Sequence, residues 1–309
     1  MTTLTDIINE VSMNLSGYTL QQDRATHITA AVAATASTIA VPITLALAST
    51  DSVGKGIVEI DEELFWVDNY DRVGNTATIA PYGRAYLGTT LAEHTEGAKV
   101  TIAPTFPRFV IKRAINDTIS AIGSSIFAAS TTTITSNAAV SAFRLPSGTA
   151  PTLNIRNILA VAYQSLGASK EWIPLRTYRF DGNANSTAFT SGQTISIYDV
   201  IPSGRTIQIA YSTNPVPFTD NAEVFTTQTG LPESCKDLVI LGATYRLLSN
   251  LDPARASMVS PQADETDSKR PYGSSQSLTK QVYALFNQRL NEEIKSQQTK
   301  YPIRVHYSL

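Results

Sequence analysis

The sequence predicts an α+β protein with three parts: a small N-terminal all-β domain, a helical core of one central and two C-terminal helices, and a β-sandwich inserted into that core. Three observations predict it. Apolar residues recur at intervals of three and four over 3–15, 106–128, 233–251 and 276–299, the pattern of helices with one buried face. Between these segments lie short runs rich in Val, Ile, Thr and aromatic residues, bounded by Gly, Pro, Asp and Ser, as strands and turns are. A chain of 309 residues also exceeds one ordinary hydrophobic core, so more than one domain is expected.

The elements follow in order. Residues 1–19 hold a short amphipathic helix carrying Leu4, Ile7, Ile8, Val11 and Leu15, with Gly17 placed to stop it. Residues 20–103 form the β domain, with strands in ASTIAVPITLAL, GIVEIDEELFWVDNYD, NTATIAPYG and GAKVTIAP. Pro107 breaks the pattern, and Phe109, Val110, Ala114, Ile115, Thr118 and Ile122 then make a helical stripe. Residues 131–232 return to short strands separated by Pro-Ser-Gly and Asp-Gly-Asn turns, which implies the inserted sandwich. The helical core comprises 104–130 and 233–300. Its second helix carries Leu238, Val239, Leu241, Tyr245, Leu248 and Leu251; its third carries Val282, Leu285, Phe286, Leu290 and Ile294. The segment SPQADETDSKRPYGSS between them reads as an exposed loop. Residues 301–309 end in IRVHYSL, which alternates apolar and polar residues as an extended tail does when it joins a sheet.

Composition narrows the function classes. With 42% hydrophobic and 16% charged residues the chain is a folded protein of low charge, suited to β-rich domains and to surfaces covered by neighbouring subunits. Net charge is −2: residues 1–103 hold 12 acids and 5 bases, the rest 14 acids and 19 bases. An acidic front and a mildly basic back attract one another between subunits, while the basic excess is too small for a protein that grips DNA through many phosphates. The single cysteine, Cys235, forms no internal disulfide, and synthesis in a reducing cytoplasm is expected. The N-terminus lacks the pattern of a secretory signal, and no apolar run reaches the roughly 20 residues a membrane helix needs, so no membrane partner is expected.

No stretch assembles a catalytic or cofactor site. His94 with Glu93 and Glu96 lacks the three converging ligands of a catalytic metal, and the chain has only His27 and His306 besides. YGRAYLGTT lacks the spacing of a phosphate-binding loop and no clear helix follows it. The acids of DEELFWVDNYD alternate with Leu64, Phe65 and Val67 and read as a solvated strand face. Cys235 reads as structural, because no histidine is placed to activate it. PFTDNAEV and FDGNANS are too sparse in acids for a calcium loop. The chain is expected to be no enzyme, with no catalytic, cofactor or metal residues.

Residues 56–102 resemble a segment recurring in structural proteins of tailed bacteriophages. In it a strand with the I-D-x-E-L pattern, here Ile60 to Leu64, precedes an arginine-glycine turn, a Gly-Thr step and a histidine-glycine step. This copy has Gly83 before Arg84 instead of after it. The C-terminal part, LVILGATYRLLSNLDPARAS followed by LTKQVYALFNQRLNEEIKSQQTKYP, resembles head-to-tail adaptor (connector) proteins of such phages. The resemblance implies a virion protein whose copies form a ring, about twelve of them, beneath the portal. It also implies contact with the portal and the next tail component, and a central channel through which DNA passes without sequence-specific binding. The slight negative charge suits that passage. Candidate interface residues are Arg84, Tyr86 and His94 in the β domain, as loop anchors or subunit contacts, and Tyr301, Arg304, His306 and Tyr307 in the tail. The alternatives are a tail-tube, minor tail or host-surface-binding virion protein, and a hydrolase working through Glu62 or Glu63.

Overall fold

The computed structural model describes residues 1–18, 23–35, 39–48, 51–137, 139–145, 155–166, 170–185, 187–189, 191–249 and 274–302. Helices and strands are both abundant, and the chain is α+β. It divides into two compact units. One is formed by Met1–Thr5, Asn116–Gly242 and Lys280–Leu309, the other by Asp6–Ile115 and Ala243–Thr279.

The second unit is built on β1 (Arg24–His27), β2 (Val41–Thr44), β3 (Gly56–Ile60), β4 (Glu63–Asp71), β5 (Thr76–Ile79) and β6 (Lys99–Ile102). They make one sheet in the order β1-β6-β3-β4-β5-β2. Its two end strands meet. Ile28 bridges Leu45, Thr29 N donates to Thr44 O at 3.1 Å, and Ala46 N donates to His27 O at 3.0 Å. The sheet thus closes into a small barrel, which removes its open edges. Alternation fills the interior: Val58 and Ile60 on β3, Phe65 and Val67 on β4, Ala77 and Ile79 on β5, and Val100 and Ile102 on β6 all join one apolar cluster. The run GIVEIDEELFWVDNYD, which reads as one β stretch, is a hairpin. Ile60 pairs with Glu63, so Asp61 and Glu62 alone make the turn, with Asp61 left-handed at φ 55°.

Glu59 points away from the barrel core and is nonetheless buried. Its carboxylate accepts from the Arg108 backbone N–H at 2.5 Å, satisfying an orphan donor at the start of α2 (Arg108–Ile122). Helix α2 is shorter than the stretch 106–128 that its sequence predicts. It stops at Ile122, and the Gly123-Ser124-Ser125 turn leads into β7 at Ala128. The buried stripe also shifts: Ile111, Ile115, Thr118, Ile119 and Ile122 are buried, whereas Phe109 and Val110 are only partly so.

In the first unit, seven strands form two sheets: β7 (Ala128–Thr135), β8 (Ala142–Arg144), β9 (Ile155–Gln164), β10 (Trp172–Pro174), β11 (Tyr178–Asp181), β12 (Thr194–Ile197) and β13 (Thr206–Thr213). The orders are β10-β9-β13-β7 and β11-β12-β8. Both sheets contribute to one core, including Val161, Ile207 and Ile209 from the first and Ile195 and Ile197 from the second. The same unit holds α3 (Phe225–Thr229) and parts of α4 (Lys236–Ser249) and α5 (Ser274–Lys300). A 3-10 turn at Glu233–Cys235 leads into α4. Helices α2, α4 and α5 converge on Gly242. A Cβ there would lie 2.3 Å from Thr118 Cγ2 and 3.0 Å from Phe286 Cε2, so only glycine lets the three helices approach this closely.

The inward side of α5 differs from the expected apolar stripe. Val282 and Phe286 are buried, but Leu285 is 47% exposed. Toward the C-terminus the inward positions become polar. Arg289 binds Asp237 through Nε at 2.7 Å and the Ser234 carbonyl at 3.1 Å, and Glu293 accepts from Ser234 Oγ at 3.2 Å. Gln297 bonds the Phe127 backbone in both directions, at 3.1 and 2.6 Å. Leu251 lies outside the described residues.

Candidate functional site

The densest polar constellation in the barrel is centred on Glu63, at the first position of β4. Two-residue alternation places Glu63 on the same face as Phe65 and Val67, so its side chain enters the barrel end and is fully buried. The expectation of a solvated strand face for this acid is therefore corrected. Asp68 and Asp71, farther along the strand, do face solvent.

A buried carboxylate is tolerable only if its lone pairs are filled. Five donors fill those of Glu63. Arg84 binds it bidentately, Nε to Oε1 at 2.8 Å and Nη2 to Oε2 at 2.9 Å. The Ala85 and Ala92 backbone N–H groups donate at 2.9 and 3.0 Å, and His94 Nε2 lies 3.0 Å from Oε2. The Arg84 guanidinium donates in turn to the Ala33 and Ala92 carbonyls, both at 2.7 Å, and sits 4.8 Å over the Phe65 ring. His94 Nδ1 is 2.7 Å from Asp61 Oδ2. An imidazole with a carboxylate on each nitrogen can donate to both only as the imidazolium, so this geometry favours the protonated form of His94.

The electrostatics follow. Burial alone would raise the Glu63 pKa, but the bonds from Arg84, His94, Ala92 and Ala85 outweigh it and hold it at about 2. Burial would lower that of His94, but Glu63 and Asp61 hold it above its ordinary value. Glu59, with one strong donor and little solvent, is pushed up to about 7, mainly by burial.

This network explains how the segment Pro81–Gly97 is held. Tyr82, Ala85 and Leu87 all adopt left-handed backbone, at φ 58°, 49° and 55°, which is costly for non-glycine residues. The bonds from Glu63 over-determine that path. Gly83 is required for another reason: a Cβ there would lie 2.8 Å from both the Ala80 and the Trp66 carbonyl oxygens, and Trp66 N donates to Gly83 O at 2.8 Å. A glycine before the arginine is thus what close strand approach demands here. Thr89 Oγ1 accepts from Leu64 N at 3.1 Å, and Val32 and His94 form a two-way backbone bridge.

Of the two roles expected for Arg84 and His94, loop anchor and subunit contact, their geometry is that of anchors, because both side chains are buried and bonded within the barrel. Tyr86 is partly buried, its ring 5.3 Å from that of Trp66. Tyr301 packs on Phe127 at 5.7 Å. Arg304, His306 and Tyr307 lie outside the described residues. Glu62, named for a hydrolase together with Glu63, faces Lys112 at 3.5 Å.

Among the described residues no group of three or more His, Cys, Asp or Glu is placed to hold a metal ion. The acids of the two loops weighed for calcium bind their own backbone: Glu223 accepts from Thr219 N and Asp220 N, and Asp181 from Asn183 N. Cys235 is buried and its thiol is pushed up to about 12, chiefly by burial and secondarily by Glu293, so it is no nucleophile at neutral pH. No described helix is long and apolar enough to cross a membrane.

The cluster's observed role is to fix a strained loop from within the barrel. The family model described as SU10 adaptor protein matches residues 84–306, more than two thirds of the chain, beginning at Arg84 itself. The chain belongs to this family of bacteriophage structural adaptors, which are virion proteins and not a class of enzymes. No curated protein matches the chain.

Proposed function

We propose that the protein is the head-to-tail adaptor of its virion, assembling as a homo-oligomeric ring under the portal and joining head to tail around the DNA channel. The observation that carries this reading is the adaptor-family match, which runs from the barrel loop through the sandwich to the C-terminal segment. The partners are other copies of the chain, about twelve in a closed ring, the portal protein and the next tail component. DNA passes without sequence-specific binding. Tyr86, Tyr301, Arg304, His306 and Tyr307 are the proposed contact residues.

Surface chemistry supports the reading. Val140, Leu166, Trp172, Ile173, Tyr198 and Val200 are 39% to 96% exposed. Trp172 and Ile173 belong to the short strand β10 and the others flank strand ends, all at one end of the sandwich, where the 175–177 link bonds Val161 of one sheet and Tyr198 beside the other. Large apolar side chains gathered in this way mark contact surfaces.

Native mass measurement of the purified protein, alone and with portal, tests the proposal. A species that becomes a stoichiometric ring on the portal is the expected result. Stable trimers that ignore the portal would instead indicate a host-surface-binding module.

A further inference from the structure

Strand β7 is an edge strand without the usual protection. It is eight residues long, AASTTTIT, and pairs with β13 from Ala128 to Thr135 with no register shift. Its other side has no partner strand among the described residues. Native proteins guard such edges with charges, prolines, bulges or brevity. The opposite edge of the same sheet, β10, is three residues long and ends in Pro174. β7 has none of these devices.

We propose that Ile303–Leu309 of the same chain adds to β7 as a fifth strand of that sheet, running parallel to it, in the unassembled subunit. Position is the first reason. Gln297 clamps the Phe127 backbone, and the Tyr301 ring packs on the Phe127 ring at 5.7 Å. Phe127 immediately precedes β7, so the chain leaving α5 sets out beside the first residue of the open edge. Pro302 ends the helix and favours an extended course.

Length is the second reason. Seven residues of extended chain span about 23 Å, close to the roughly 26 Å of β7. Chemistry is the third. In IRVHYSL, alternation puts Ile303, Val305, Tyr307 and Leu309 on one face and Arg304, His306 and Ser308 on the other. On β7, Ile134 packs against the sandwich core, while Thr131 and Thr133 on the other face are exposed. The apolar face of the tail extends that core, and its polar face joins the exposed threonines. Tethering beside the edge gives the tail of the same chain a high local concentration over any competing strand. The pairing concerns the free subunit and stands whether or not a ring forms on the portal. If it does form there, the tail must first be released.

Hydrogen exchange read by mass spectrometry tests this on the full chain and on a chain ending at Pro302, at concentrations where sedimentation shows monomers. The β7 amides not bonded to β13 should exchange about ten-fold or more faster in the shortened chain, with β13 unchanged. The double variant Val305→Glu/Tyr307→Glu should match the shortened chain, and Arg304→Glu should match the full one. Equal β7 exchange in full and shortened chains overturns the proposal. So does protection that appears only in oligomers, which would give the edge to a second copy, or an Arg304→Glu loss as large as that of the double variant.

Discussion

In the barrel the end strands β1 and β2 meet through the Ile28–Leu45 bridge, and the buried polar groups, Thr89 apart, are ionisable: Glu59, Glu63, Arg84 and His94. In the sandwich β7 and β10 remain edges, and the buried polar side chains of the described strands and their flanks are neutral, among them Gln193, Thr194, Ser212 and Thr213. Gln193 serves there much as Glu63 serves in the barrel, bonding the Ile155 backbone in both directions at 3.4 and 3.5 Å, but without charge. The contrast locates two properties. The larger response to pH belongs to the barrel, whose buried ionisable groups couple its stability to protons, whereas the sandwich has the lowered carboxylate of Asp199 near its surface. Capacity to recruit a strand belongs to the sandwich, whose β7 edge has no second partner among the described residues.

The largest expected effect breaks the barrel alone. Glu63→Gln leaves the Arg84 guanidinium buried without its counter-charge, and removing one partner of such a pair costs about 3–5 kcal/mol. Amide exchange over β3–β6 should accelerate while β9 and β13 stay protected. Equal acceleration in both would show that the two regions do not differ in this way. The wild-type barrel should also lose the Glu63 contribution as pH falls from 4.5 toward about 2, because its folded pKa lies below the unfolded one. The His94 contribution has the opposite sign. It is complete below 6.5 and disappears as pH rises through the raised folded value.

A smaller effect sharpens the comparison within the barrel. Glu59 holds its proton up to about pH 7 when folded but only to 4.5 when unfolded, so its presence weakens the fold as pH rises between these values. Glu59→Gln keeps an acceptor for Arg108 N and cannot ionise. Denaturant midpoints at pH 4 and pH 8 should show the variant more stable at pH 8 by on the order of 2 kcal/mol and nearly unchanged at pH 4. A deficit at pH 8 would mean that the ionised carboxylate is the favoured cap.

The smallest effect concerns the sandwich. Thr133→Lys places a charge on the exposed face of β7 and should alter thermal stability by no more than about 0.5 kcal/mol. A larger loss would reveal that this face is covered.

Much of the fold was legible because periodicity survives in linear order. The helical spacing located α1 (Leu4–Ser16), α4 and α5 to within a few residues, and β-branched runs marked strands of all three sheets, though not β1. The end of α2 was harder to read, since Gly123-Ser124-Ser125 interrupts a stretch that stays apolar through Phe127. The face of α5 was misread toward its C-terminus because Arg289, Glu293 and Gln297 bind specific partners there, a role that hydrophobic spacing does not register. At the barrel site a signal was present: Glu63, Phe65 and Val67 share a face by simple alternation. It became decisive only once Asp61 and Glu62 were seen to form the entire turn.

By itself the sequence determined the α+β class, the segment order and the absence of any familiar catalytic motif, since these depend on local patterns of polarity and turn chemistry. It also carried the adaptor fingerprint. Only tertiary structure decided that Glu63, Arg84 and His94, 31 positions apart at most, meet as one buried network. Only tertiary structure decided that the barrel sheet closes while β7 has no second partner strand among the described residues. A buried charge is stable only where distant donors converge, and a sheet edge is free only where no strand from elsewhere in the chain covers it. Both conditions depend on contacts between residues far apart in sequence, which local pattern does not encode.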